Sequence, residues 1–177
     1  MKKLLLILYF SCIISFSVDV TGPRYRAEGS LGTLGFREHK KVSQNKNFLS
    51  SSISFLSEWK GQVNEKFDIT FGPKITGNFA IYLDKPTMPT IRQSIILGGE
   101  VDINYKLKEN IKIYTSIEAG AGIGFQIPII KGDPHVQFEF TSISKIAFGV
   151  KLKDKYNVAF YTGHIKGLLG VEAGYTF

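Results

Sequence analysis

IKIYTSIEAGAGIGFQI, residues 111–127, places an apolar side chain at every odd position but one. The odd positions run Ile111, Ile113, Ile117, Ala119, Ala121, Ile123, Phe125 and Ile127, broken only by Thr115. The even positions run Lys112, Tyr114, Ser116, Glu118, Gly120, Gly122, Gly124 and Gln126. A period of two marks a β-strand with one apolar face and one face of charge and glycine. A barrel in water would turn the isoleucines inward. A barrel in a membrane would turn them outward.

The same alternation runs through eight stretches: 25–36, 48–62, 67–82, 92–107, 111–127, 136–152, 156–164 and 168–177. Tight polar turns join strands two and three (63–66), four and five (108–110), and six and seven (153–155). Longer stretches, 37–47, 83–91 and 128–135, join the remaining pairs, except that the last link, 165–167, is short. An even strand number with short turns at one end and longer loops at the other is the layout of an outer-membrane barrel, with both termini on the periplasmic side.

Three features choose the outward orientation. The apolar faces carry bulky groups, among them Phe67, Phe71, Phe79, Phe138, Phe140 and Phe148, whereas the opposite faces carry Gly32, Gly72, Gly98, Gly120, Gly122, Gly124, Gly149, Gly163, Gly170 and Gly174. The narrow lumen of an eight-stranded barrel suits small residues and leaves phenylalanine to the outside. Tyr25, Trp59, Tyr105, Tyr156 and Tyr175 all fall on apolar faces near a short turn or a terminus, which reads as a periplasmic aromatic girdle. No matching outer girdle of Tyr and Trp is visible. Finally, LLGVEAGYTF alternates Leu169, Val171, Ala173, Tyr175 and Phe177 and stops on an aromatic carboxy terminus.

On that closing strand and the strand layout, residues 25–177 resemble the small eight-stranded bacterial outer-membrane proteins of the OmpA-transmembrane-domain and OmpX type. The resemblance implies an all-β, antiparallel, up-and-down transmembrane barrel. It also implies that Tyr175 and Phe177 belong to a sorting signal read by the barrel assembly machinery. The chain lacks the long final surface loop of that family.

The start, MKKLLLILYFSCIISFS, has two lysines, an apolar run and small residues after it, the pattern of a secretory signal; residues 1–17 read as signal peptide and 18–177 as the barrel domain. The one cysteine, Cys12, lies in that segment, so the mature chain forms no disulfide. The net charge of +7 falls to +5 when Lys2 and Lys3 leave, and it is spread along the chain with no helical basic stretch, which argues against nucleic acid. After residue 17 no run approaches the ~20 apolar residues of a transmembrane helix. The expected location is therefore the outer membrane of a Gram-negative bacterium, with membrane lipids and lipopolysaccharide as surroundings.

Counted up from the periplasmic end, the inward positions form a middle layer of Glu28, Glu58, Glu100, Glu118 and Glu172 with Lys74 and Lys145. Arg24, Arg26, Lys60, Asp68, Asp102, Lys106, Lys112 and Lys151 count lower. Ions removed from bulk water need partners, so the layer reads as a polar network that plugs the bore. Five carboxylates against two lysines leave a narrow cation-selective pore as the alternative. A third reading is a lipid hydrolase: pairing strands six and seven across residues 153–155 brings His164 opposite Ser144 on the lipid-facing side, as nucleophile and base. No lipid-facing acid stands beside His164, so no catalytic activity is expected. A secreted lipocalin-like ligand binder is the inverted alternative.

The loop 37–47 carries Arg37, Lys40, Lys41 and Lys46 against Glu38 and suits lipopolysaccharide phosphates or a host or surface ligand. His39 and His135 complete no metal-ligand spacing, so neither metal nor cofactor is expected. The role that follows is structural or surface-exposed: envelope integrity or adhesion.

Overall fold

The structure, a computed structural model, describes residues 19–37, 44–82, 90–128 and 136–177. The expected signal segment 1–17 lies outside the described residues, as do His39, Lys40, Lys41 and His135. The eight strands are β1 (Asp19–Arg37), β2 (Gln44–Gln62), β3 (Phe67–Tyr82), β4 (Thr90–Lys108), β5 (Ile111–Pro128), β6 (Gln137–Leu152), β7 (Tyr156–His164) and β8 (Leu169–Thr176). Each pairs antiparallel with its sequence neighbour, and β8 returns to β1, closing the ring. β3 and β7 have the bounds that the alternation gives. β1 differs most, beginning at Asp19 instead of Tyr25, because its alternation is interrupted where the register shifts between Thr21 and Arg24. Pro23 sits in that gap, where it offers no N–H to a ladder.

The isoleucines of the 111–127 stretch face outward, Ile117 and Ile123 most of all. Ile117, Phe71 and Phe148 are 56%, 41% and 59% exposed, whereas Glu118 is 2% exposed. A water-soluble barrel would show the reverse. Inner glycines answer to close approach of neighbouring backbone: a Cβ on Gly72 would lie 1.8 Å from the Ser57 carbonyl oxygen, and one on Gly122 would lie 2.0 Å from that of Ile95. Outward Gly29 would meet nothing within 4 Å. Among the described residues no helix is long and apolar enough to cross a membrane; the strands supply the apolar wall.

The wall is uneven in height. β1 to β6 run 16 to 19 residues each, β7 only 9 and β8 only 8. The β6–β7 ladder therefore stops at Ser144↔His164, and the β8–β1 ladder stops at Thr33↔Leu169. Above those points, residues 137–143 of β6 and 34–37 of β1 have no ladder partner on that side among the described residues.

The link between β7 and β8 turns into the bore. Ile165 (φ 75°) is buried with Ile96 and Ile143, and Gly167 (φ +115°) completes the reversal. Left-handed backbone is costly for a β-branched residue, and the apolar contacts of Ile165 hold it there. Lys166, 1% exposed, follows it inward.

Candidate functional site

Glu28, Glu58, Lys74, Glu100, Glu118, Lys145 and Glu172 all face the bore, and none is more than 5% exposed. Some of their partners sit on neighbouring strands, as Lys145 and Glu118 do, and others on non-adjacent strands, as Lys74 and Glu28 or Lys145 and Glu172 do, so that part of the network crosses the lumen. Arg26 on β1 reaches Asp102 on β4 at 2.8 Å and Glu100 beside it, with Glu28 at 3.1 Å and Glu58 at 3.5 Å. Lys74 on β3 pairs with Glu28, with Glu100 at 2.6 Å and with Glu118 at 3.2 Å. Lys145 on β6 joins Glu172 at 2.7 Å, Glu100 at 3.0 Å and Glu118 at 3.1 Å. Lys166 meets Glu118 at 3.1 Å and Ser54 at 3.4 Å.

The carboxylate excess counted in the sequence is absent. Glu28, Glu58, Glu100, Asp102, Glu118 and Glu172 share Arg24, Arg26, Lys74, Lys145, Lys151 and Lys166, six acids for six bases. Asp102, Arg24, Arg26, Lys151 and Lys166 join the seven residues counted in the sequence, and two of these cations show why the count changes. Arg26 lies one inward position below Glu28, but its long side chain carries the guanidinium into the middle layer. Lys166 belongs to the β7–β8 link, where no alternation assigns a face. Its carbonyl also accepts hydrogen bonds from Ser50 and, at 2.9 Å, from Tyr161, which pins the link inside the wall. The mutual pairing offsets the desolvation of each ion, and removal of one partner would strand the others.

Below this lattice, Lys112 bridges Asp68 at 2.7 Å and Asp154 at 2.6 Å, and Lys60 holds Asp154 at 2.9 Å. Burial alone would raise the Asp154 carboxyl, but hydrogen bonds from Lys112 and Lys60 outweigh it and bring it down to about 2. Around the same end, Tyr25 stacks on Phe55 (5.8 Å) and leans on Phe177 (6.3 Å), Tyr175 touches Tyr156 (5.1 Å), Tyr105 meets Phe67 (4.9 Å) and Trp59 covers Phe71 (6.5 Å). Tyr25 and Phe177 also exchange backbone hydrogen bonds of 3.2 and 2.9 Å, which ties the last residue to β1.

The free edges locate the opposite boundary of the hydrocarbon. Unpaired strand edges do not occur within lipid. From Tyr156 in the aromatic band to His164, the last ladder residue, β7 spans 9 residues, within the 9–11 that a tilted strand needs to cross. Above Ser144, His164, Thr33 and Leu169 the sheet is open among the described residues, an edge that hydrocarbon would penalise. There Phe138 and Phe140 are 76% and 95% exposed, and Phe138 meets Phe125 edge-on at 5.1 Å. Its inner side holds a second small cluster that sequence reasoning passed over: Arg92 pairs with Glu139 and donates to Tyr82 (3.2 Å) and Thr141 (3.1 Å). Alternation along β4 and β6 marks both charges as inward, and only their level above the lipid was missing.

Ser144 and His164 are direct register partners. The imidazole, however, lies with Nδ1 3.4 Å from the carbonyl oxygen of Ser142, and among the described residues no carboxylate pairs with it. Among the described residues no hydrogen bond joins the Ser144 hydroxyl to the His164 ring.

Among solved structures, the chain is similar to Ail, the attachment invasion locus protein of Yersinia pestis. In its complex with the heparin analogue sucrose octasulfate, Ail aligns over 89% of this chain and 100% of its own at 10% identity, with a TM-score of 0.52. The crystal structure of Ail alone aligns over the same shares at 8% identity and 0.50. The outer-membrane enzyme PagL aligns over 86% of this chain and 98% of its own at 14% identity, with a TM-score of 0.47. No protein-family model and no curated protein matches the chain. At these identities the likeness is one of fold, and the fold is that of the small eight-stranded outer-membrane barrels.

Proposed function

We propose that this chain is a non-catalytic surface protein of the Gram-negative outer membrane, anchored by a sealed barrel and acting through the sheet that rises above the bilayer. In this reading residues 1–17 are removed on export, and the barrel assembly machinery inserts the chain by its closing strand, Tyr175 to Phe177. The observation that carries the reading is the unequal wall: β1 to β6 outgrow β7 and β8, and among the described residues β6 has no ladder partner on that side at 137–143. An unpaired strand edge is a template for strand addition by another protein, and the exposed Phe138 and Phe140 would anchor the added strand.

The bases of the stretch 37–47, Arg37, Lys40, Lys41 and Lys46, would add a second contact suited to sulfate or phosphate groups. The complex of the structurally similar Ail with a sulfated heparin analogue supports a polyanionic surface partner of this kind. Lipopolysaccharide phosphates on the same cell have the same chemistry.

Adhesion of expressing cells to host-cell monolayers tests the proposal. Phe140→Pro, which removes an edge N–H and an aromatic anchor above the lipid, is expected to reduce adhesion to the level of vector-only cells while the barrel stays heat-modifiable on gels. Undiminished adhesion would contradict the edge as the binding element. The cation pathway is disfavoured by the side chains that cross the lumen in pairs. Planar bilayers containing inserted protein are expected to stay silent, for the wild type and for Glu118→Gln alike.

A further inference from the structure

Among the described residues the lipid-facing wall, studded with bulky side chains, carries a recess. Between β7, β8, β1 and β2 a cleft of about 470 Å³ opens toward the lipid, walled by Leu31, Leu49, Phe160, Leu169 and Val171. These walls are 44% to 75% exposed, so they stand up around the cleft instead of closing it. Its floor is bare backbone where Gly32 and Gly170 are register partners. The ring of Tyr161 lies directly behind: a Cβ on Gly170 would come within 2.2 Å of it, and one on Gly32 within 1.8 Å of the Lys166 carbonyl oxygen. The inward-folded β7–β8 link thus fixes two glycines side by side, and the wall is thin where they meet.

We infer that this cleft is a seat for one acyl chain of a phosphate-bearing glycolipid of the outer leaflet, the lipid A portion of lipopolysaccharide. Three observations select that occupant. The lining is almost wholly apolar, so it takes hydrocarbon. The cleft ends at Thr33 and Leu169, the last paired residues of the β8–β1 ladder, and so lies in the outer half of the bilayer, where phospholipids of the inner leaflet do not reach. Directly above it the wall is notched, and among the described residues, 34–37 have no ladder partner on that side, so that a headgroup phosphate or sugar can accept and donate hydrogen bonds there. The volume lies within the range of small-ligand pockets and is too small for a multi-acylated lipid, so a single chain enters while the others remain in the leaflet.

Native mass spectrometry of the barrel, purified from outer membranes in mild detergent and challenged with added lipid A or phosphatidylethanolamine, tests the seat. The wild type is expected to carry one lipid A. Val171→Trp and Leu31→Trp, which fill the cleft with residues tolerated on a lipid face, are expected to weaken that binding on the order of tenfold or more. Val158→Trp, on the same lipid-facing wall outside the cleft, is expected to leave it unchanged. Equal retention in all variants, equal loss in all three, or equal binding of phosphatidylethanolamine would overturn the inference, heat-modifiability confirming that each variant is folded. The seat rests on the outer-membrane orientation and not on what the protruding sheet binds. A barrel that still mediates adhesion but retains no lipid A would overturn the seat alone.

Discussion

The lower and upper halves of this barrel are written in the same alternating code but live in different solvents. Below Ser144 and His164 the wall is closed, its outside meets lipid, and its inside is a lattice in which Arg26 alone is shared by four carboxylates. Above them the wall is open on one side among the described residues, its outward phenylalanines are exposed, and the inward charges described there are the Arg92–Glu139 pair, partly exposed at 13% and 28%. The difference teaches that alternation sets which face a residue takes, while strand length decides what that face touches.

The largest contrast is expected inside the bore. Arg26→Ala leaves Glu28, Glu58, Glu100 and Asp102 without their common cation and is expected to destabilise the barrel by about 3–5 kcal/mol in urea unfolding from lipid vesicles. Arg92→Ala, at the solvent-washed mouth, is expected to cost no more than about 1 kcal/mol. Equal costs would erase the distinction between the two halves. The outer face gives the next contrast. Ile117→Arg, near the middle of the hydrocarbon, is expected to cost about 2–4 kcal/mol. Phe138→Arg, the same kind of change on the same face but above the lipid, is expected to fall within about 0.5 kcal/mol of the wild type. A large cost at Phe138 would move the membrane boundary upward.

The smallest effect belongs to the periplasmic rim. With its carboxyl lowered from 3.8 to about 2, Asp154 is more acidic folded than unfolded. Its contribution is therefore present above about pH 4 and is lost as pH falls through about 2. Asp154→Asn is expected to flatten the acid limb of the stability curve across that window and leave the neutral region's slope unchanged. An unaltered acid limb would mean that Lys60 and Lys112 do not hold the group.

Much of this was legible in the chain. The alternation in residues 111–127 alone separates Ile117 from Glu118, and the shortness of residues 156–164 is plain to read. Other features were not, for physical reasons. Lys166 sits in a turn, where neither period applies, and only the contacts of Ile165 show that the link folds inward. Arg26 was placed by backbone position, which ignores the reach of its side chain. The notch required register: that β7 is short says nothing about an edge until Ser144 is seen to be the last residue of β6 with a β7 partner. The outer girdle of Tyr and Trp is missing at the level where two of the eight strands end.

The most direct test is paramagnetic relaxation of the barrel's amides in nanodiscs whose lipids carry a spin label deep in the acyl chain. Strong attenuation is expected at Phe148 and Ile117, with little at Phe138 and Phe140. Attenuation at Phe138 and Phe140 equal to that at Phe148 would put the free edge of β6 inside hydrocarbon and contradict the account.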